Sequence, residues 1–347
     1  MKPTFMLRGG EKDRPKKIGW WLVLCTLLSL GMIVLGALTR LTQSGLSIVD
    51  WKPVTAWLPP MNDVAWQAAF DAYKQFPEYQ RVNFSMDLAG YKSIYWLEYA
   101  HRLLGRIIGF VFAIPMFWWW SRGVLPRFLR GRMLGLLVLG GMQGFVGWFM
   151  VQSGLVDVPH VSAYRLTIHL LLATFLFAGL WWSALDVFFP ESYSVNKSTR
   201  NRACVFLLLV WTTITAGGLV AGNRAGLIMA DWPTMGGQWI PDGLVSMTPL
   251  WRNLLDNIIT IQFQHRMLAY CVVLFAIFQF WTMVRDGVHG RITRLGFFVV
   301  LAVLVQVSLG VGTLLLGVTP AIAACHQGMG MLVLAVSLML CHRMSSP

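Results

Sequence analysis

Glu98 and His101 stand three residues apart in the stretch Ile94-Tyr95-Trp96-Leu97-Glu98-Tyr99-Ala100-His101-Arg102. That spacing puts an acid and an imidazole on one face of a helix. Three more histidines, His169, His265 and His326, also lie in apolar surroundings, and Gln262-Phe263-Gln264-His265-Arg266 repeats the pattern around His101. Imidazole serves as a metal ligand or a proton carrier near neutral pH. A carboxylate beside it can take a proton or stabilise developing positive charge. Ionisable groups in apolar helices are costly and are usually kept for a function. The other histidines read differently. His289, in a short loop, and His342, at a helix end, are expected to be solvated, and His160 to be an interfacial polar residue.

The elements that must position these residues are membrane spans. Of 347 residues, 56% are hydrophobic and only 12% charged, against about 25% charged in soluble domains. Eight apolar runs, 18–38, 94–120, 133–151, 164–189, 203–222, 257–284, 295–317 and 320–342, reach the roughly 20 residues that cross a bilayer. The net charge of +13 does not point to nucleic acid, because the basic residues sit in short loops. Lys2, Arg8, Lys12, Arg14, Lys16 and Lys17 precede the first run, and Arg122, Arg127, Arg130 and Arg132 follow the second. Lys197, Arg200 and Arg202, then Arg285, Arg291 and Arg294, then Arg343 fall on the same side if the spans alternate. Both termini are therefore expected to be cytoplasmic. Glu11 and Asp13 make the short N-terminus unlike a mitochondrial transit peptide, and no small-residue cleavage site follows the first run. A bacterial inner membrane is the expected location. Cys25, Cys204, Cys271, Cys325 and Cys341 form no CxxC and read as small buried apolar side chains, without disulfide or zinc.

The two halves of the chain resemble each other. Gly36-Ala37-Leu38, Gly45-Leu46 and Asp50-Trp51-Lys52-Pro53 have counterparts in Gly218-Leu219, Gly226-Leu227 and Asp231-Trp232-Pro233. Gln143 with Gly144 and Gly147 matches Gln306 with Gly310 and Gly312, and His169 matches His326. The expected fold is all-α and polytopic: eight transmembrane helices as two tandem four-helix bundles in parallel repeat. Residues 1–189 make the first half, 190–202 a cytoplasmic linker and 203–347 the second half. Asp50 and Asp231 are 181 residues apart but His101 and His265 only 164, so the first outer loop, 39–93, is longer by 17. Its segment 62–84 reads as a small helical lid or a plain surface insertion.

Each of the four histidines falls about two turns inside the outer end of an even-numbered span, roughly 10 Å deep at 1.5 Å per residue. His101 can face His169, and His265 can face His326. Two facing imidazoles in a helical bundle suit bis-imidazole haem ligation, whereas zinc or copper would want more ligands close by. Gly140, Gly141, Gly144, Gly147, Gly310, Gly312 and Gly317 allow close approach of a flat macrocycle or of a neighbouring helix. Arg102, Arg165, Arg224 and Arg266, near the outer ends, could pair with haem propionates or reach the interface as anchors. Glu98 has only Gln262 as its counterpart, so one site is expected to have acid–base chemistry and the other to handle electrons.

With these residues in place, the chain resembles the haem A synthase family over essentially all eight spans. Glu98-Tyr99-Ala100-His101-Arg102 matches its second-span motif, and His169, His265 and His326 match its other histidine positions. The resemblance implies an enzyme that oxidises the C8 methyl of haem O to a formyl group, giving haem A. It implies a haem b cofactor on His265 and His326, substrate haem O at His101 and His169, and Glu98 as the catalytic acid–base or cation-stabilising group. Haem O synthase (protohaem farnesyltransferase) and cytochrome oxidase would be functional partners, within membrane lipid, and whether the protein forms a homo-oligomer is left open. Some bacterial members carry a cysteine pair in the outer loops. This chain has none there, so it resembles the cysteine-free branch shared with mitochondria. Two rival readings are a di-haem b-type electron carrier, which leaves Glu98 unused, and a haem transporter or chaperone, which rests on the parallel repeat.

Overall fold

A computed structural model describes residues 14–50, 57–156 and 158–344. Lys2, Arg8, Lys12, Glu11, Asp13 and the Trp51-Lys52-Pro53 part of the repeat motif lie outside the described residues. Among the described residues, eight helices are long and apolar enough to cross a membrane: α1 (Arg14–Leu41), α4 (Leu88–Ser121), α5 (Arg127–Gln152), α6 (Ala163–Phe188), α7 (Lys197–Gly222), α8 (Ile258–Arg285), α9 (Arg291–Leu315) and α10 (Pro320–Met344). Two short helices, α2 (Asp63–Tyr73) and α3 (Pro77–Arg81), occupy the insertion. No strand forms among the described residues beyond one isolated bridge, Met235 with Gln238. Helices must satisfy their own backbone groups in a bilayer, and side chains such as Phe128, Phe145, Phe175 and Leu274 point outward from the bundle.

Side-chain caps decide where several helices begin. Asp87 accepts from the Gly90 amide at 2.8 Å to open α4, Asn196 from Thr199 at 2.7 Å to open α7, and Asn257 from Ile259 at 3.0 Å to open α8. Each satisfies an amide that has no partner in the first helical turn. α4 begins six residues before the expected start of that span. Its first two turns carry Tyr91 and Tyr95, which form an aromatic core with Trp66, Phe70 and Tyr73 of α2. His101 is thus thirteen residues inside its helix, while His169, His265 and His326 are six or seven inside theirs. Depth counted from the helix start is therefore not uniform.

In the first half, α1 packs on α4 and α6, and α5 on α4 and α6, closing a ring of four. In the second, α7 packs on α8 and α10, and α9 on α8 and α10. Between halves, α6 meets α7, α10 meets α1, and α6 meets α10. Exchanging the halves turns the α6–α7 contact into α10–α1 and leaves α6–α10 as it is, as a parallel repeat requires. The likeness extends to single residues. Gln43 and Arg224, 181 apart, both adopt left-handed backbone, with φ of 54° and 53°, just past the ends of α1 and α7. One apolar core runs through both halves, joining Ile33 and Phe177 to Phe206, Val210, Leu334 and Leu338. The long connections 42–87 and 223–257 share one end of the bundle, here the loop end.

At the opposite end, His342 is not solvated as expected. It is only 7% exposed, and its Nε2 lies 2.9 Å from Asp186 Oδ1. Asp186 also accepts from Arg132, so α5, α6 and α10 are joined across the halves. Trp182 packs edge-on against the His342 ring at 5.0 Å. A helix-end position in the sequence did not show that α6 covers this residue. His289 and His160 are exposed. None of the five cysteines is in a disulfide; Cys25 and Cys341 are buried, but Cys204, Cys271 and Cys325 are exposed on the bundle surface, where an apolar thiol can face lipid.

Candidate functional site

Each of the four histidines backs onto a glycine of the preceding span. A Cβ on Gly36 of α1 would meet His101 Nε2 at 3.0 Å, and one on Gly147 of α5 would meet His169 Cε1 at 3.0 Å. In the second half, Gly217 of α7 stands 3.1 Å from His265 Cε1 and Gly310 of α9 stands 2.9 Å from His326 Cε1 on the same construction. Any side chain at these positions would push the ring away. The counterpart of Gly36 is thus Gly217, at the 181-residue offset, rather than Gly218, which instead faces Thr167 of α6. Gly140, Gly141 and Gly144 have open space, and Gly312 meets Ile322. Of the glycines on α5 and α9, only Gly147 and Gly310 therefore serve the histidines.

His101 and His169 stand on α4 and α6 of the first ring, and His265 and His326 on α8 and α10 of the second. In the second half both Nδ1 atoms point at backbone carbonyls, His265 at Thr213 and His326 at Gln306, each at 3.2 Å. A carbonyl only accepts, so Nδ1 carries the proton and Nε2 keeps its lone pair. This arrangement fixes a metal-binding imidazole in direction and tautomer. Gln143 and Gln306 place their amide nitrogens 3.4 Å and 3.5 Å from Nε2 of His169 and His326. Their Oε1 atoms, and His169 Nδ1, are buried without a partner. No group of three or more His, Cys, Asp or Glu gathers around a point among the described residues. Two imidazoles with glycine behind them and unsatisfied amides beside them suit a metal whose remaining ligands come with a flat macrocycle. The residues fit haem.

Glu98 is 3% exposed. Its Oε2 accepts from the Ser47 hydroxyl at 2.7 Å and the Ile48 amide at 2.9 Å. Its Oε1 accepts from Arg102 Nε at 3.0 Å and Nη2 at 2.6 Å. Four donors hold the carboxylate in one orientation, one helical turn before His101. Arg102 also donates from Nη2 to the Ile48 carbonyl at 2.7 Å and from Nη1 to that of Asp50 at 3.3 Å.

The second half repeats the scaffold without the charge. Arg266 donates from Nη2 to the Met229 carbonyl and from Nη1 to that of Asp231, each at 2.9 Å. Met229 and Asp231 are Ile48 and Asp50 at the same offset. Gln262 replaces Glu98 and donates to the Met229 carbonyl at 3.0 Å. Ile228 stands where Ser47 does, so the carboxylate and its hydroxyl donor are lost together. Ser47 and Ile48 were missed in the sequence; extending the 181 offset through this loop would have exposed the Ser47–Ile228 contrast. The Asp231 carboxylate accepts from the amides of Gly237 and Gly236 and the Thr234 hydroxyl. These donors hold it well below the usual carboxylate range. Gly236 and Gly237 take φ of 61° and 77°, which aims both amides at it.

Arg102 and Arg266 therefore tie matched loops to α4 and α8. Arg165 donates to the Phe149 carbonyl at 2.6 Å and stacks 3.7 Å over the Phe149 ring. Arg224 lies in the turn after α7.

Eight helices apolar and long enough to cross a membrane, carrying two imidazole pairs, one with a fixed carboxylate beside it and one without, define a polytopic helical protein with two candidate sites of unequal chemistry. The chain belongs to the COX15-CtaA family, described as cytochrome oxidase assembly protein, whose sequence profile matches residues 19–338. It is 44% identical over 328 residues to a Heme A synthase of Parvibaculum lavamentivorans, covering 94% of each chain. It is 45% identical over 328 residues to one of Beijerinckia indica, covering 93% of this chain and 91% of the relative. It is 41% identical over 334 residues to one of Nitrosospira multiformis, covering 95% and 94%.

Proposed function

We propose that this protein is a haem A synthase, an oxidoreductase that converts the C8 methyl of haem O to a formyl group for cytochrome oxidase. The relatives' shared name supports the reaction. The observation that carries the residue assignment is the contrast between Glu98 with Ser47 and Gln262 with Ile228 on matched scaffolds. His101 and His169 hold haem O, and Glu98 takes the proton or stabilises the cation that forms at the oxidised carbon. His265 and His326 hold haem b, which when bound supplies electron transfer. Gly36, Gly147, Gly217 and Gly310 set the ring positions, and Arg102 keeps Glu98 aimed. Arg102, Arg165 and Arg266 are the propionate candidates, each already directed by a backbone carbonyl. The chain lies in a bacterial inner membrane, with both termini cytoplasmic and the loop end periplasmic. Residues 1–189 are the substrate half, 190–202 the linker and 203–347 the haem b half. Haem O synthase supplies its substrate.

Pigment extraction and mass analysis of membranes from cells that make haem O test this reading. A formyl-bearing haem should appear with the protein and vanish with Glu98→Ala, while the b-type spectrum stays. Unchanged haem A in that variant would remove Glu98 from the chemistry. Accumulated haem that is never oxidised would remove the enzyme itself.

A further inference from the structure

The two halves differ about two helical turns beyond their histidines, on the side away from the loop end. Gly109 lies eight residues past His101 on α4, and Gly140 seven residues before Gly147 on α5, about 10–12 Å along each helix. Gly109 shares a helix face with His101 and with Gly105, where a Cβ would meet Met32 of α1 at 3.3 Å. Gly140 shares one with Gly147 and with the buried Leu136 and Met133. Both therefore turn toward the bundle interior, yet a Cβ on either meets nothing within 4 Å. α4 has no buried side chain between Glu98 and Phe112, and α5 has none after Leu136. The second half fills the matched space. The offset that pairs His101 with His265 pairs Gly109 with Val273, and the offset that pairs Gly147 with Gly310 pairs Gly140 with Val303. Val303 is 1% exposed, and Val273 packs against the same core. α8 and α9 accordingly pack over a longer stretch than α4 and α5. At the head of the first-half space, Gln143 Oε1 and His169 Nδ1 are buried without a partner.

We propose that this space is a subsite for the farnesyl chain of haem O, and that its absence from the second half selects a haem without that chain there. The assignment rests on haem O being held at His101 and His169. A protohaem farnesyltransferase makes haem O, so the substrate differs from haem b by a long apolar chain that needs room beside the macrocycle. The space between α4 and α5 is continuous with the imidazole pair along both helices, and Gly109 and Gly140 leave it open. Val273 and Val303 take up the same room in the second half. Discrimination then comes from exclusion, since a chain that fits beside glycine clashes with valine. Lipid is as apolar as the site, so the chain gains close packing there rather than escape from water.

Haem uptake by the full-length protein, with haem b already in its second half, tests this. Haem O and haem b are titrated separately, and the Soret change that His169→Ala abolishes is followed. The wild-type site should hold haem O about tenfold more tightly than haem b. Gly109→Val with Gly140→Val should weaken haem O about tenfold and leave haem b unchanged. Val273→Ala with Val303→Ala, in a His169→Ala background, should let the second half retain haem O, read by mass analysis of the extracted pigment. Equal affinity of the wild-type site for the two haems, the result if lipid chains alone fill the space, overturns the proposal. Equal weakening of both haems in the valine variant, or a second half that still excludes haem O after the alanine changes, does the same. If haem O binds as stated but no formyl-bearing haem forms, the subsite stands and the enzyme reading fails.

Discussion

Glu98 and Arg102 close a salt bridge of 2.6 Å one helical turn apart, with side chains 4% and 13% exposed. The charge on each depends on the other, because breaking such a pair leaves an uncompensated buried ion. Arg102→Ala should cost about 3–5 kcal/mol of stability. Arg266→Ala should cost only about 1–3 kcal/mol, since its neighbour Gln262 is neutral and only carbonyl partners are lost. Thermal unfolding in detergent, with Glu98→Gln as the second arm of a double-mutant cycle, measures the difference.

The glycines behind the histidines are not interchangeable with those elsewhere on the same face. Gly310→Ala places a methyl 2.9 Å from the His326 ring, whereas Gly144→Ala meets nothing within 4 Å. The first substitution should abolish or distort the b-type haem spectrum. The second should leave haem content unchanged. Equal spectra for the two would sever the link between these glycines and the ligands.

Asp186 joins the halves at the end away from the loops. Asp186→Ala removes the partner of both Arg132 and His342, leaving a buried imidazole unpaired. A loss of about 1–3 kcal/mol is expected, with the haem spectrum unaltered because the latch and the four ligands sit at opposite ends. Melting curves followed by both tryptophan fluorescence and haem absorbance separate the two effects.

The insertion should loosen as pH rises. The folded Glu78 carboxyl is raised from 4.5 to about 7, so between those values the folded state binds more protons than the unfolded. Stability then falls with rising pH across that window. Hydrogen exchange of α2 and α3 should quicken through it in the wild type and stay flat in Glu78→Gln.

Much of this was legible in the sequence, for reasons tied to particular residues. Apolar length set the eight spans, and the four histidines stood out because ionisable groups are rare in such helices. The match of Glu98-to-Arg102 with Gln262-to-Arg266 showed both the repeat and the point at which it breaks. His342 was misjudged because nothing local marks a helix end that another helix covers. The start of α4 was misplaced because its first turns pack on an insertion rather than reach into lipid.

The amino-acid order by itself determined which segments can lie in a bilayer, which side chains could bind metal, and where the halves differ in charge. Those properties follow from composition and spacing along one helix, so no neighbour is needed to express them. Only the folded chain decided that Ser47 and Ile48 bind Glu98, that Gly36 and Gly217 make room for imidazoles, and that Glu78 is buried against Tyr73. These are contacts between residues far apart in the chain. The free energy of such contacts depends on packing and solvent exclusion, which become defined when the helices meet.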